Sequence, residues 1–81
     1  MNVNITAYLL IQTDVGAVEE VLDAVAADPG VSWADPVTGP YDMVAAISAP
    51  LGEVIPRIQG KLSGSGVTRT ITCPTSRGES V

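Results

Sequence analysis

The stretch Val31-Ser32-Trp33-Ala34-Asp35-Pro36-Val37-Thr38-Gly39-Pro40-Tyr41-Asp42-Met43-Val44-Ala45-Ala46-Ile47-Ser48 decides the fold. Thr38-Gly39-Pro40 is a turn signal, and strand-forming residues lie on both sides of it. Val31, Trp33 and Val37 predict one strand, interrupted or bulged around Asp35-Pro36, and Tyr41–Ser48 predicts the next. So short a connection makes the pair a hairpin. Pro36 has no N–H to give to a ladder, which places the first of these strands at a sheet edge or leaves it paired on one side only.

On the N-terminal side, residues 3–13 read as a strand with Ile5, Ala7, Leu9 and Ile11 on one face and Tyr8 and Leu10 on the other. Asp14 is the expected N-cap of a helix carrying Val15, Val18, Val21, Leu22 and Val25 as its apolar stripe, opposite Glu19, Glu20 and Asp23. Asp28-Pro29-Gly30 ends it, because a residue before proline is disfavoured in the helical region. On the C-terminal side, Pro50 suits the first turn of a second helix, in which Leu51, Val54, Ile55, Ile58 and Leu62 keep helical spacing. Gly52, Pro56 and Gly60 weaken that helix, and a kink or late start is expected. Ser63-Gly64-Ser65-Gly66 is a flexible connection, and Val67–Cys73 alternates with Thr68, Thr70 and Thr72 as a last strand.

The order strand-helix-strand-strand-helix-strand predicts an α+β fold, a ferredoxin-like βαββαβ sandwich. Its four-stranded antiparallel sheet carries two helices on one face. Leu9 beside Leu10 and Met43 beside Val44 make both parities of two strands apolar, so the bare face is expected to be buried by a second copy of the chain. Residues 1–74 form the expected domain, and 75–81 a polar C-terminal tail.

Composition supports a small assembling domain. At 81 residues the chain is one domain, and a domain this size buries only about 60% of its unfolded surface. One cysteine, Cys73, rules out an intrachain disulfide, and the absence of histidine removes the commonest metal ligand and general base. Four basic residues (Arg57, Lys61, Arg69, Arg77) against nine acidic ones give a net charge of −5 without a basic cluster, which excludes direct nucleic-acid binding and docking to anionic membranes. The apolar runs Ala7–Ile11 and Met43–Ile47 are far shorter than a bilayer span. The first residues lack a basic segment followed by an apolar one, and a cytoplasmic location is expected.

Catalytic constellations are missing. The sequence holds no histidine for a triad, no cysteine pair for zinc and no phosphate-binding glycine loop, so no catalytic residue, no metal and no cofactor is expected. The informative stretch is Val37–Asp42. A turn there can offer backbone amides to a carboxylate while Asp42 accepts from an ammonium, the two charges of an α-amino acid. The same residues also suit an ordinary hairpin turn with Tyr41 and Asp42 at the surface.

Gly16 at the start of the first helix, Asp28-Pro29-Gly30-Val31, Val37-Thr38-Gly39-Pro40-Tyr41-Asp42 and Gly66-Val67-Thr68-Arg69-Thr70-Ile71-Thr72 occur in order over nearly the whole chain. Together they resemble the effector-binding domain of the Lrp/AsnC (feast/famine) regulators, also called the RAM domain. The resemblance implies a dimer, often assembled into a ring of about four or five dimers, with amino-acid effectors bound between dimers. It implies a ligand site at Gly39, Tyr41, Asp42, Thr70 and Thr72. Asp42 would receive the ammonium, Gly39 would let the ligand approach the backbone, and Thr70 or Thr72 would supply hydroxyls. Thr70 and Thr72 share one strand face, as one pocket requires, although threonine also simply suits a half-buried strand.

Most members of that family carry an N-terminal helix-turn-helix, whereas this sequence opens on the first strand. Pro40 also removes one backbone donor from the turn. The expected function is therefore a non-enzymatic amino-acid-binding and oligomerisation domain acting indirectly on transcription, with full-length regulators of the same family as potential partners. The alternatives are a ligand-independent assembly module and a small dimeric enzyme on the same scaffold. The last is disfavoured by the lack of histidine and by an aromatic set limited to Tyr8, Trp33 and Tyr41.

Overall fold

A computed structural model describes residues 5–62, 64 and 66–75. The elements run β1 (Ala7–Thr13), α1 (Val18–Ala26), β2 (Val31–Pro36), β3 (Met43–Ile47), α2 (Leu51–Leu62) and β4 (Val67–Pro74). The sheet order is β2-β3-β1-β4 with every neighbouring pair antiparallel, the expected ferredoxin-like βαββαβ arrangement. Residues 3–4 of the expected first strand, Ser63 and Ser65 of the expected connection, and 76–81 of the expected tail lie outside the described residues.

Alternation along the central strands builds the core. Ala7, Leu9 and Ile11 of β1 and Met43, Ala45 and Ile47 of β3 point to the helices and are buried. They meet Val21 and Val25 of α1 and Val54, Ile58 and Leu62 of α2, the stripes that the helical spacing predicts. β2 is an edge strand, as Pro36 requires, and β4 is the other edge.

Several boundaries differ from the sequence expectation. α1 starts at Val18 rather than near Val15, and its N-cap is Ala17, with no side-chain cap hydrogen bond. The cause is Gly16, whose φ of 88° is a left-handed turn conformation that no helix continues through. Val15 consequently projects fully into solvent, and Asp14 serves the turn through its carbonyl, which accepts from Ala17 N at 3.1 Å. The irregularity in β2 falls between Val31 and Trp33, not at Asp35-Pro36, where the register with Val44 and Met43 is kept. β3 begins at Met43 rather than Tyr41, because Val37 N donates to Asp42 O at 2.9 Å and closes a loop that includes Tyr41. α2 starts directly after Pro50, whose carbonyl accepts from Glu53 N and Val54 N, so no late start occurs, and Pro56 sits inside a continuous helix. β4 extends one residue further, to Pro74.

An ion pair fixes α2 in place. Asp28, just after α1, is buried, and its carboxylate accepts from Arg57 Nε and Nη2 of α2 at 2.8 Å each. The same carboxylate accepts from Gly30 N at 2.8 Å, and Lys61 Nζ lies 3.6 Å away. These contacts hold the Asp28 carboxyl far below the ordinary carboxylate range, with the Arg57 hydrogen bonds as the main cause and burial opposing them. Gly30 completes the joint by close approach: a Cβ there would stand 2.4 Å from Val54 Cγ2 and 3.2 Å from Ala49 Cβ.

Candidate functional site

Three features of the fold bear on function. The first is the turn between β2 and β3. Gly39 adopts a φ of 135°, and the space where its Cβ would stand is open. Asp42 is tied into the sheet: its N–H donates to Ile11 O at 2.9 Å, and its carboxylate Oδ2 accepts from Thr13 N at 2.8 Å. Gln12 Nε2 donates to Pro40 O at 2.8 Å, which anchors the turn to β1. Tyr41 is half-buried beside them. One carboxylate oxygen of Asp42, Oδ1, keeps no hydrogen-bond partner among the described residues.

The second feature is a groove of about 440 Å³ between α2 and β4. Leu9, Ile58, Leu62 and Val67 form its apolar part, with Ile55 alongside. Gln59, Thr68 and Thr70 contribute polar groups, and Arg69 also borders it, although its pairing with Gln12 puts its side chain on the other face of the sheet from Thr70. Thr70 stands opposite Ile11 and Thr72 opposite Leu9, so both threonines point to the helix side of the sheet, as one shared pocket requires. Of the five predicted site residues, only Thr70 lines this groove. Gly39, Tyr41 and Asp42 belong to the loop at the end of the β2–β3 pair, and within one chain β1 lies between that pair and β4. The structure thus brings the turn residues together and the threonines together, as two separate groups.

The third feature is the face of the sheet turned away from the helices. Tyr8 and Leu10 of β1, Val44 and Ala46 of β3, Trp33 of β2 and Ile71 of β4 make its centre apolar, with Gln12, Asp35 and Arg69 towards one end, and no described element is layered over it. Tyr8 is 37% exposed, Trp33 42% and Ile71 39%. The register explains the packing here: Ala46 pairs with both Tyr8 and Trp33, and its small side chain lets the two rings meet above it with centroids 6.2 Å apart and planes inclined by 53°. Cys73, paired with Tyr8, is exposed on the same face near the β4 edge.

Among the described residues no cluster of histidine, cysteine, aspartate or glutamate side chains suits a metal ion. No described helix is long and apolar enough to cross a membrane.

Comparison with solved structures places this architecture. TTHA0845 from Thermus thermophilus is 38% identical, with a TM-score of 0.76 over 88% of this chain and 91% of that one. The chain belongs to the same family as TTHA0845. FFRP-DM1, a feast/famine regulatory protein, is 27% identical with a TM-score of 0.75, covering 88% of this chain and 97% of that one. The hypothetical protein PHS023 from Pyrococcus horikoshii is 27% identical with a TM-score of 0.74, covering 88% of each chain. No protein-family model and no curated protein matches the sequence.

The fold is therefore Lrp/AsnC-like, and two parts of this Lrp/AsnC-like domain escape sequence reasoning. Asp28-Pro29-Gly30 reads as a helix stop, yet Asp28 is the buried anchor of α2. Nothing local signals that, because its partners Arg57 and Lys61 lie on the other helix. The groove residues Ile55, Gln59 and Leu62 follow an i, i+4, i+7 spacing along one flank of α2, a legible stripe that sequence reading merges with the core stripe.

Proposed function

We propose that the chain is a non-enzymatic effector-binding and oligomerisation domain of the Lrp/AsnC type, acting on transcription indirectly through the assemblies it forms. The observation that carries this reading is the apolar open face around Tyr8, Trp33 and Ile71, on a fold shared with a feast/famine regulatory protein. A patch of two half-exposed aromatic rings with aliphatic neighbours marks an association surface, and a second copy laid on it gives the small domain the extra burial it lacks. A ring of such dimers, and mixed assemblies with full-length regulators, extend the same reading.

The β2–β3 turn supports amino-acid binding. Asp42 Oδ1 is available to an ammonium while Oδ2 holds Thr13 N. A ligand bound between assembled copies couples its occupancy to the assembly state, because it stabilises whichever form binds it.

A thermal-shift panel with the common amino acids, run on the parent and on Asp42→Asn, tests this. Asparagine keeps an acceptor for Thr13 N and removes the charge, so the fold is retained. Occupancy at about a hundred times Kd stabilises by about 2.7 kcal/mol, which a domain of this size shows as a shift of several degrees. A shift for one or a few amino acids, lost in Asp42→Asn, supports the sensor. No shift for any amino acid leaves the ligand-independent assembly module in front. The bond of Asp42 Oδ2 to Thr13 N favours that second reading, since it gives the carboxylate a structural task.

A further inference from the structure

We infer that the open face of the sheet selects its partner by charge. It takes a second copy of this chain in one orientation, with β2 of each copy over β4 of the other, and Asp35 of each copy pairs with Arg69 of the other. The inference rests on the reading of that face as an association surface, and adds which way round the copies sit and which side chains decide it.

The register lays the face out in rows across the strands. Trp33, Ala46, Tyr8 and Cys73 form one row, Asp35, Val44, Leu10 and Ile71 the next, and Gln12 and Arg69 the one beyond. The two charges therefore lie towards one end of the face but on opposite edges, Asp35 on β2 and Arg69 on β4. Three strand spacings, about 14 Å, separate those edges, and neither side chain has an ion pair among the described residues. Gln12 is already engaged: its Nε2 donates to Pro40 O at 2.8 Å, and its Oε1 accepts from Thr68 Oγ1 at 3.0 Å. Asp42, the other anion near that end, accepts from Thr13 N. Each chain thus presents one exposed anion and one exposed cation that it does not itself neutralise.

Two sheets packed face to face about a two-fold axis in the plane between them have two aligned arrangements. With the axis across the strands, each edge covers the same edge of the other copy, so the Asp35 anions share one edge and the Arg69 cations the other. With the axis along the strands, the edges are exchanged and the rows are kept. Asp35 of one copy then falls over Ile71 of the other, two residues or about 7 Å along β4 from Arg69, within reach of a long arginine side chain. One such pair forms at each edge. Opposite charges fix the orientation and like charges penalise the alternative. Side-chain bulk selects the same arrangement. The rings of Tyr8 and Trp33 meet over Ala46, so the ridge they form lies towards β2 and leaves the Cys73 end low. Exchanging the edges sets the two ridges side by side instead of one on top of the other.

The test is sedimentation of Asp35→Arg and Arg69→Asp, alone, mixed, and combined in one chain, against the parent. Both positions are exposed, so the variants keep the fold, which circular dichroism verifies. Each single variant brings like charges together at both edges and should weaken self-association at least tenfold or so, roughly what one lost charge contact is worth. An equimolar mixture of the two should associate as a heterodimer with the parent's affinity, and the double variant should recover that affinity with itself. The proposal is overturned if the single variants associate as well as the parent or better, which is the outcome of the other orientation. It is equally overturned if the mixture and the double variant remain as weak as the single ones. A parent that dimerises, is broken by Trp33→Asp and is indifferent to both charge reversals loses this pairing but keeps the association surface. A parent that is monomeric at every concentration loses both.

Discussion

The two flanks of α2 are built to opposite ends. On one flank Asp28 takes three hydrogen bonds from Arg57 and Gly30, and Gly30 admits Val54 so closely that no side chain fits between them. On the other flank Ile55, Gln59 and Leu62 face β4 across an open groove. The helix is thus pinned along its α1–β2 side and stands clear of the edge strand on the other. A small domain with a fully closed second layer would have no room for a ligand. The contrast shows how a few strong contacts on one side hold a helix firmly enough to leave the other side unfilled.

The largest effect is expected on the pinned flank. Asp28→Ala leaves the buried Gly30 N–H unpaired and removes the charge-assisted hydrogen bonds that hold Arg57, and urea melts should show a loss of about 3 kcal/mol. Ile58→Ala, at a core position that is 1% exposed, should cost about as much, at about 3 kcal/mol. Gly30→Ala forces a methyl against Val54 and should cost about 2 kcal/mol by the same measurement. Ile55→Ala, at the half-buried groove, should cost about 1 kcal/mol, and a loss equal to that of Ile58→Ala would mean that the groove is packed core.

Acid should separate the flanks as well. The Asp28 carboxyl is held below its unfolded value, so the folded state binds its proton less readily than the unfolded chain does. Its contribution is therefore complete above about pH 4 and is lost progressively as the pH falls below that. In urea midpoints recorded from neutral pH downward, Asp28→Asn should start lower than the parent and lack this part of the acid fall. Parallel curves for the two proteins would contradict the role given to the ion pair.

Much of the fold was legible because it depends on local periodicity. The stripes of α1 and α2, the alternation of β1 and β3 and the edge position forced by Pro36 all follow from side-chain spacing. Structure and local pattern part where one residue fits two consistent patterns. Val15 extends the α1 stripe in sequence, but Gly16 turns the chain before a helix can form. Asp28 ends a helix and also anchors another, and only the second task involves residues distant in sequence. The candidate site divides the same way. Gly39, Tyr41 and Asp42 form one loop because they are contiguous, and Thr70 and Thr72 share a face because strands alternate. The separation of those two groups by β1, and the gap between α2 and β4, depend on how layers stack, which spacing along the chain does not encode.

The most direct measurement is the mass of the protein in solution by light scattering across micromolar concentrations, for the parent and for Trp33→Asp. If the open face is an association surface, the folded parent runs at no less than twice its 8.3 kDa, and the aspartate on that face returns it to 8.3 kDa. A folded parent that remains at 8.3 kDa at every concentration, with Trp33→Asp unchanged from it, would contradict the account.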